Sequence, residues 1–164
     1  MPNLRIITLY QPHATLMVLG FKRNETRPWA HHNVKGTIGI AAAARSPREY
    51  LDLVKQWPFC EDLKDIPLIN GAILGTVDVR SYLRSQTWVD QHSDPNMTGE
   101  QIRAAEREYR YGNYAPGRWA WQTDNAVRFA QPIPAKGKQG WWRHELPITP
   151  ALLSIPAKQT NLFL

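Results

Sequence analysis

The sequence predicts an α+β or barrel fold in which short strands are mixed with two to three helices. Three observations carry this. Short apolar runs are bounded by Gly, Pro and Asn, the punctuation of strands. Two separate places carry the residues that start helices. The two kinds of element alternate too irregularly for a doubly wound sheet.

Taken in order, Leu-Arg-Ile-Ile-Thr-Leu at 4–9 reads as a first strand. Pro12 fits the first turn of a helix, where its missing N–H costs nothing, and Gly20 can close that helix in a left-handed turn. Residues 24–29 follow as a strand or extended loop. Gly36 to Ala43 is small and apolar, which suits a buried strand. Ser46-Pro47-Arg48-Glu49 has the form of a capping box, and it predicts a helix whose apolar face holds Tyr50, Leu51, Val54 and Trp57 until Pro58 stops it. Asn70-Gly71 marks a turn before the clearest strand, Ala72 to Val79. Residues 84–97 are polar and predict a loop. Thr98 with Gln101 makes a second capping box, opening a helix to about Tyr109. Gly112 to Gly117 is turn-rich. Arg118 to Gln122 and Ala126 to Ala130 are expected to pair as a hairpin around Asp124-Asn125. The tail from Pro132 is rich in Pro, Gly and Lys and ends in a short apolar patch.

The 164 residues fit one domain, with a core block at about 4–142 and a tail at 143–164. Cys60 stands alone, so no internal disulfide forms, as is usual in a reducing compartment. No signal peptide and no membrane-length apolar run is legible, and a cytoplasmic, soluble protein is expected. The charge is uneven. Residues 1–60 carry 8 basic and 3 acidic groups, residues 61–102 carry 3 and 7, and residues 103–143 carry 8 and 3. If the fold joins the two outer segments, they make a positive face suited to polyanions. Trp29, Trp119, Trp121, Trp141 and Trp142 lie in or near these basic segments, where one or two could line a site while most fill the core.

The stretch from Gln11-Pro12 to Trp29 contains Gly20-x-Lys22-x-x-Glu25-x-Arg27 after a short helix. Gly71 to Val77, Gly112-Asn113-Tyr114-Ala115-Pro116-Gly117-Arg118-Trp119-Ala120-Trp121, and Pro134 to Trp141 follow in order. Together these blocks resemble the ASCH (activating signal cointegrator homology) family. The resemblance implies a PUA-like β-barrel with flanking helices and a cleft beside the motif that takes RNA, DNA or a nucleoside. It also implies that some small relatives are similar to amidohydrolases acting on acylated cytidine and others to ribonucleases. In the amidohydrolase-like relatives a lysine, a threonine and a downstream glutamate do the chemistry. Lys22 matches the lysine. Glu25 stands where the threonine would be, Thr26 is one residue further on, and Glu108 or Glu106 could serve as the second carboxylate. The chain departs from the family at Ala41 or Ala42, where relatives often carry histidine, and at Asn113, where they often carry aspartate.

Read as residues, Lys22, Glu25 and Arg27 fall within one short segment. In an extended chain Glu25 and Arg27 share a face, and Thr26 points away from them. A lysine beside a carboxylate can serve as base or nucleophile. Arg27 offers a planar fork for phosphate or a base edge. A bracing ion pair between Glu25 and Arg27 or Lys22 is the competing reading. Arg118 after Pro116-Gly117 is expected to clamp a phosphate or to stack on Trp119 or Tyr114. Lys136-Gly137-Lys138 and Trp141 combine cations, flexible glycines and an aromatic ring, as a strand-binding groove would, or form a loop anchored by a tryptophan. The scattered histidines, including His31-His32, make no metal site, and no cofactor motif is present.

The expected function is therefore RNA or DNA binding, with a nucleotide held in a cleft beside the Lys22 motif. Lys22, Glu25 and Glu108 are the candidate catalytic groups if the protein is instead a metal-independent hydrolase. Gln11, Thr26, Arg27, Tyr114, Arg118, Lys136, Lys138 and Trp141 are the candidate binding residues. A regulatory protein-interaction factor with a vestigial cleft is the third alternative. No metal, no cofactor and no membrane partner is expected.

Overall fold

The computed structural model describes residues 3–147 and the backbone of 155–156. Its elements run β1 (Asn3–Leu9), α1 (His13–Val18), β2 (Asn24–Arg27), β3 (Gly36–Ala42), α2 (Arg48–Leu51), a 3₁₀ turn (Asp52–Lys55), α3 (Phe59–Asp62), β4 (Ala72–Arg84), α4 (Ser85–Gln91), α5 (Gly99–Arg110), β5 (Trp119–Pro134), β6 (Trp142–Glu145) and β7 (Ile155–Pro156). The predicted α+β architecture is what this shows, with more short helical turns than the sequence suggested.

One mixed sheet has the order β2-β5-β4-β3-β1-β6, and β7 pairs with β5. Among the described residues only the β1–β3 pairing is parallel, with Ile7 opposite Ile40; the other pairings are antiparallel. The sheet curls so that β2 at one end meets β1 near the other. Arg27 of β2 donates from Nη2 to the Thr8 carbonyl at 3.1 Å, across the mouth so formed. Alternation along the strands feeds two apolar faces. Ile7, Leu9, Ile38, Ile40, Val77, Tyr82 and Trp121 pack with Met17 and Val18 of α1 inside the curl. Ile6, Ala41, Ile73, Phe129 and Trp142 form a second cluster.

Three expectations need correction. The predicted hairpin around Asp124-Asn125 is one strand, β5; Asn125, with φ +50°, lies in it, and β5 carries an extra residue there, with Asp124 opposite Asp78 and Val127 opposite Thr76 of β4. Residues 84–97 are not all loop, because Ser85–Gln91 is helical and Trp88 is buried against Tyr114 and Ala120. The Ser46 capping box does not form. The Ser46 hydroxyl instead accepts the Gln11 N–H at 2.8 Å, and α2 closes after four residues with none buried. The second capping box is present: Thr98 Oγ1 accepts from the Gln101 N–H, and Gln101 Oε1 accepts from the Thr98 N–H. The apolar end of the tail lies outside the described residues.

Candidate nucleotide-binding cleft

The cleft is built from the exit of α1. Gly20 takes φ +80°, a left-handed conformation that glycine adopts at little cost, and the N–H groups of Phe21 and Lys22 both turn back to the Leu16 carbonyl at 3.1 Å. This reversal drives the Lys22 side chain inward, leaving the residue only 2% exposed. Its Nζ donates to the Asn24 carbonyl at 2.6 Å and to the Tyr111 carbonyl at 2.7 Å. Tyr111 closes the C-terminus of α5, so the ammonium also meets the negative end of that helix. An ammonium has three N–H donors, and these two bonds use two of them.

In β2, Glu25 pairs with Trp121 and Arg27 with Trp119 on β5, which fixes the alternation of the motif. Glu25 is 8% exposed. Its Oε1 accepts the Thr26 N–H at 2.8 Å and stands 3.8 Å from Arg27 Nε. Its Oε2 is buried and finds no hydrogen-bond partner among the described residues. A buried acceptor without a donor loses its hydration, so it is a place where a ligand N–H would be held.

Around this carboxylate lies a cleft of about 870 Å³. Six cations line it: Lys22 and Arg27 from the first basic segment, and Arg110, Arg118, Lys136 and Lys138 from the last. Among the described residues Glu25 is the sole carboxylate in that lining. The fold thus joins the two basic segments at one mouth. Arg118 binds protein carbonyls with two arms, Nε to Asn113 and Nη2 to Thr26, both at 3.0 Å. It straps the Gly112 loop to β2 and keeps one guanidinium edge for a ligand; it is Arg84, not Arg118, that lies over Trp119. Thr26 Oγ1 accepts the Asn113 N–H at 2.8 Å, so this threonine turns to the loop while still bordering the cleft.

Four predicted residues stand elsewhere. Glu108 is buried on α5 and gives both oxygens to β2: Oε2 accepts the Arg23 N–H at 2.9 Å and Oε1 the Asn24 N–H at 2.8 Å. It borders a separate hollow of about 530 Å³ with Phe21, Asn24 and Trp88. Burial pushes its carboxyl up against the opposing pull of Lys22 and the two N–H groups. Gln11 is fully buried, with its side chain bonded to the Ile69 carbonyl and the Thr15 N–H. Tyr114 is buried on Trp88, its hydroxyl near Asn24 and Glu108, and burial raises its pKa above the normal phenol range. Trp141 is half-buried and stacks on Trp121, with ring centroids 5.3 Å apart. Each of these serves the walls behind the cleft.

Sequence reasoning passed over His13, Arg110, Tyr10 and Tyr50, which all border the cleft. Burial, and then the charge of Lys22, pushes the His13 imidazole down to about 3, so it is neutral at physiological pH. Arg110 carried a usable signal: it ends the capped helix just before the Gly112 loop. The tyrosines carried none, because their exposure depends on how short α2 is. Among the described residues no cluster of His, Cys, Asp or Glu could hold a metal ion, and no helix is long and apolar enough to cross a membrane.

Comparison with known proteins gives three findings. No family model matches the chain. Over 94 residues, 54% of the chain, it is 33% identical to Activating signal cointegrator 1 of Homo sapiens, and the match spans 16% of that protein's length. Among solved structures it is similar to ASCH from Zymomonas mobilis, at 13% identity and TM-score 0.43 over 79% of this chain and 72% of that one. A point mutant of the same Zymomonas protein gives 15% identity and TM-score 0.44, over 79% of this chain and 74% of that one.

Proposed function

We propose that the chain is an ASCH-type domain that binds RNA or DNA and takes one nucleotide into the cleft beside Lys22, Glu25 and Arg27. The observation that carries this is a buried carboxylate oxygen without a partner among the described residues, Glu25 Oε2, on a residue that lines a cleft together with six cations. Glu25 Oε2 accepts an amino or imino N–H of the base, and the third N–H of Lys22 meets a neighbouring acceptor on the same edge. Arg27, Arg110, Lys136 and Lys138 take the phosphates, with the remaining edge of Arg118.

Hydrolysis is the weaker reading. It needs a second carboxylate in the cleft, whereas Glu108 gives both oxygens to backbone N–H groups beside another hollow. The Nζ of Lys22 is engaged by two carbonyls, an arrangement suited to a fixed donor more than to a mobile base.

The test is fluorescence anisotropy with labelled single-stranded RNA and DNA at low salt, on the wild type and on Glu25→Gln. The amide loses the charge-assisted bond to the base, so Kd rises on the order of tenfold or more. Undetectable binding by the wild type sinks the proposal. Equal affinities of the two proteins remove Glu25 from base recognition.

A further inference from the structure

We propose that Tyr10 and Tyr50 form a stacking lip for a second base, so that the ligand is a single-stranded segment of at least two nucleotides. This rests on the cleft reading above and extends it outward. Tyr10 follows β1 directly and Tyr50 sits on α2. Both border the cleft, and they are 47% and 36% exposed. Their ring centroids are 5.3 Å apart with planes at 45°, so the rings support each other without covering each other's faces. His13 braces Tyr50 from below with an edge contact at 5.7 Å, and Phe59 braces His13 at the same distance.

The element that carries Tyr50 strengthens the inference. Neither α2 nor the 3₁₀ turn after it contains a buried residue, so core burial does not explain why a large aromatic stands there. Every base has a π-face, and an exposed ring beside a cationic groove is how sequence-tolerant single-strand binders hold successive bases. Bases in a duplex are stacked on their neighbours and present only edges, so such a lip discriminates against paired strands. The cations of the same cleft favour this partner over a protein surface, which would have to meet five net positive charges around the lip.

The experiment compares three probes: nucleoside monophosphates, single strands of about eight nucleotides as RNA and as DNA, and the matching duplexes. The proteins are wild type, Tyr10→Ala, Tyr50→Ala, Tyr50→Phe and Glu25→Gln, each first checked by thermal melting. Tyr50→Ala is expected to weaken single-strand binding roughly 5- to 100-fold, the range a lost base–aromatic stack covers. Tyr50→Phe keeps the ring and stays near wild type, and the monophosphates bind all three Tyr50 forms alike. The RNA and DNA arms tell which sugar is accepted. Single-strand affinity untouched by either alanine variant overturns the lip, as does a duplex bound as tightly as the strand. A monophosphate affinity that falls in parallel also overturns it, since the tyrosines would then belong to the inner pocket. Glu25→Gln separates the two proposals: it weakens monophosphate and strand together, so the cleft can stand while the lip fails. No binding of any probe by wild type overturns both.

Discussion

The steepness of salt dependence follows from the cleft and can be worked out. Of the six lining cations, Lys22 and Arg118 each have two N–H groups held by backbone carbonyls. Arg110, Lys136 and Lys138 are exposed and Arg27 is partly so, which leaves about four groups to neutralise phosphates. Each phosphate neutralised on a single strand contributes about −0.7 to the slope of log K against log salt, so the slope should be about −3. Raising salt from about 50 to 200 mM should then weaken binding roughly 50-fold. The double variant Lys136→Gln/Lys138→Gln removes two of the four, so its slope falls to about −1.4 and the same change costs only about sevenfold. Anisotropy titrations of one single strand across the salt series measure both slopes. A flat wild-type profile would refute the argument that the merged basic segments hold phosphates. Equal slopes for the two proteins would remove the Lys136–Lys138 loop from the contact.

Other consequences concern the frame of the site. Thr98→Ala removes the hydroxyl that caps α5 and should lower stability by about 1 kcal/mol in chemical denaturation. Gly75→Ala should be far worse, because a Cβ there would meet the Val127 carbonyl oxygen at 1.9 Å in the β4–β5 pairing; about 3 kcal/mol is expected from such overpacking, and an unchanged melting temperature would contradict it. His13 makes the fold acid-sensitive. The unfolded chain takes up this proton near 6.5 and the folded chain only near 3, so stability falls as pH drops through that window. The slope is at most about 1.4 kcal/mol per pH unit, less because the ring is only half-buried, and His13→Gln should flatten it in urea unfolding between about pH 7 and 4.

The sequence carried the frame better than the details. The turn at Gly20 and the strands β1 and β3 follow from local chemistry that the tertiary structure did not override. The Thr98 capping box formed because its helix is long and packs Ala105 and Glu108 inward. The Ser46 box met a rival acceptor demand, the N–H of Gln11 across 35 residues, which draws the hydroxyl away from α2. Asp124-Asn125 carried the residues of a hairpin turn, but the long β4 offered a continuous partner, so the positive φ of Asn125 went into an irregular strand. The convergence of Lys22, Glu25 and Arg27 was legible because all three sit on one turn and one strand. The misplaced residues, Gln11, Tyr114, Glu108 and Trp141, are polar or aromatic groups whose partners lie far along the chain. Side-chain type alone does not tell whether such a group faces a ligand or a buried backbone.

Glu108 shows how that ambiguity resolves into mechanism. Its carboxylate fixes the N–H groups of Arg23 and Asn24, the Asn24 carbonyl then fixes Lys22, and Lys22 returns to the Tyr111 carbonyl at the end of the helix that carries Glu108. The loop closes on itself, so the cleft floor and the end of α5 stand or fall together. A ligand that engages Lys22 therefore gains from a donor that is already oriented and does not have to order it on binding. The same closure means that loosening α5 should weaken nucleotide affinity even though no residue of its first two turns borders the cleft. Hydrogen exchange of the amides of Arg23 and Asn24 reports this directly. Those amides should open with the α5 C-terminal turn in one event, and independent exchange would break the link between helix and cleft.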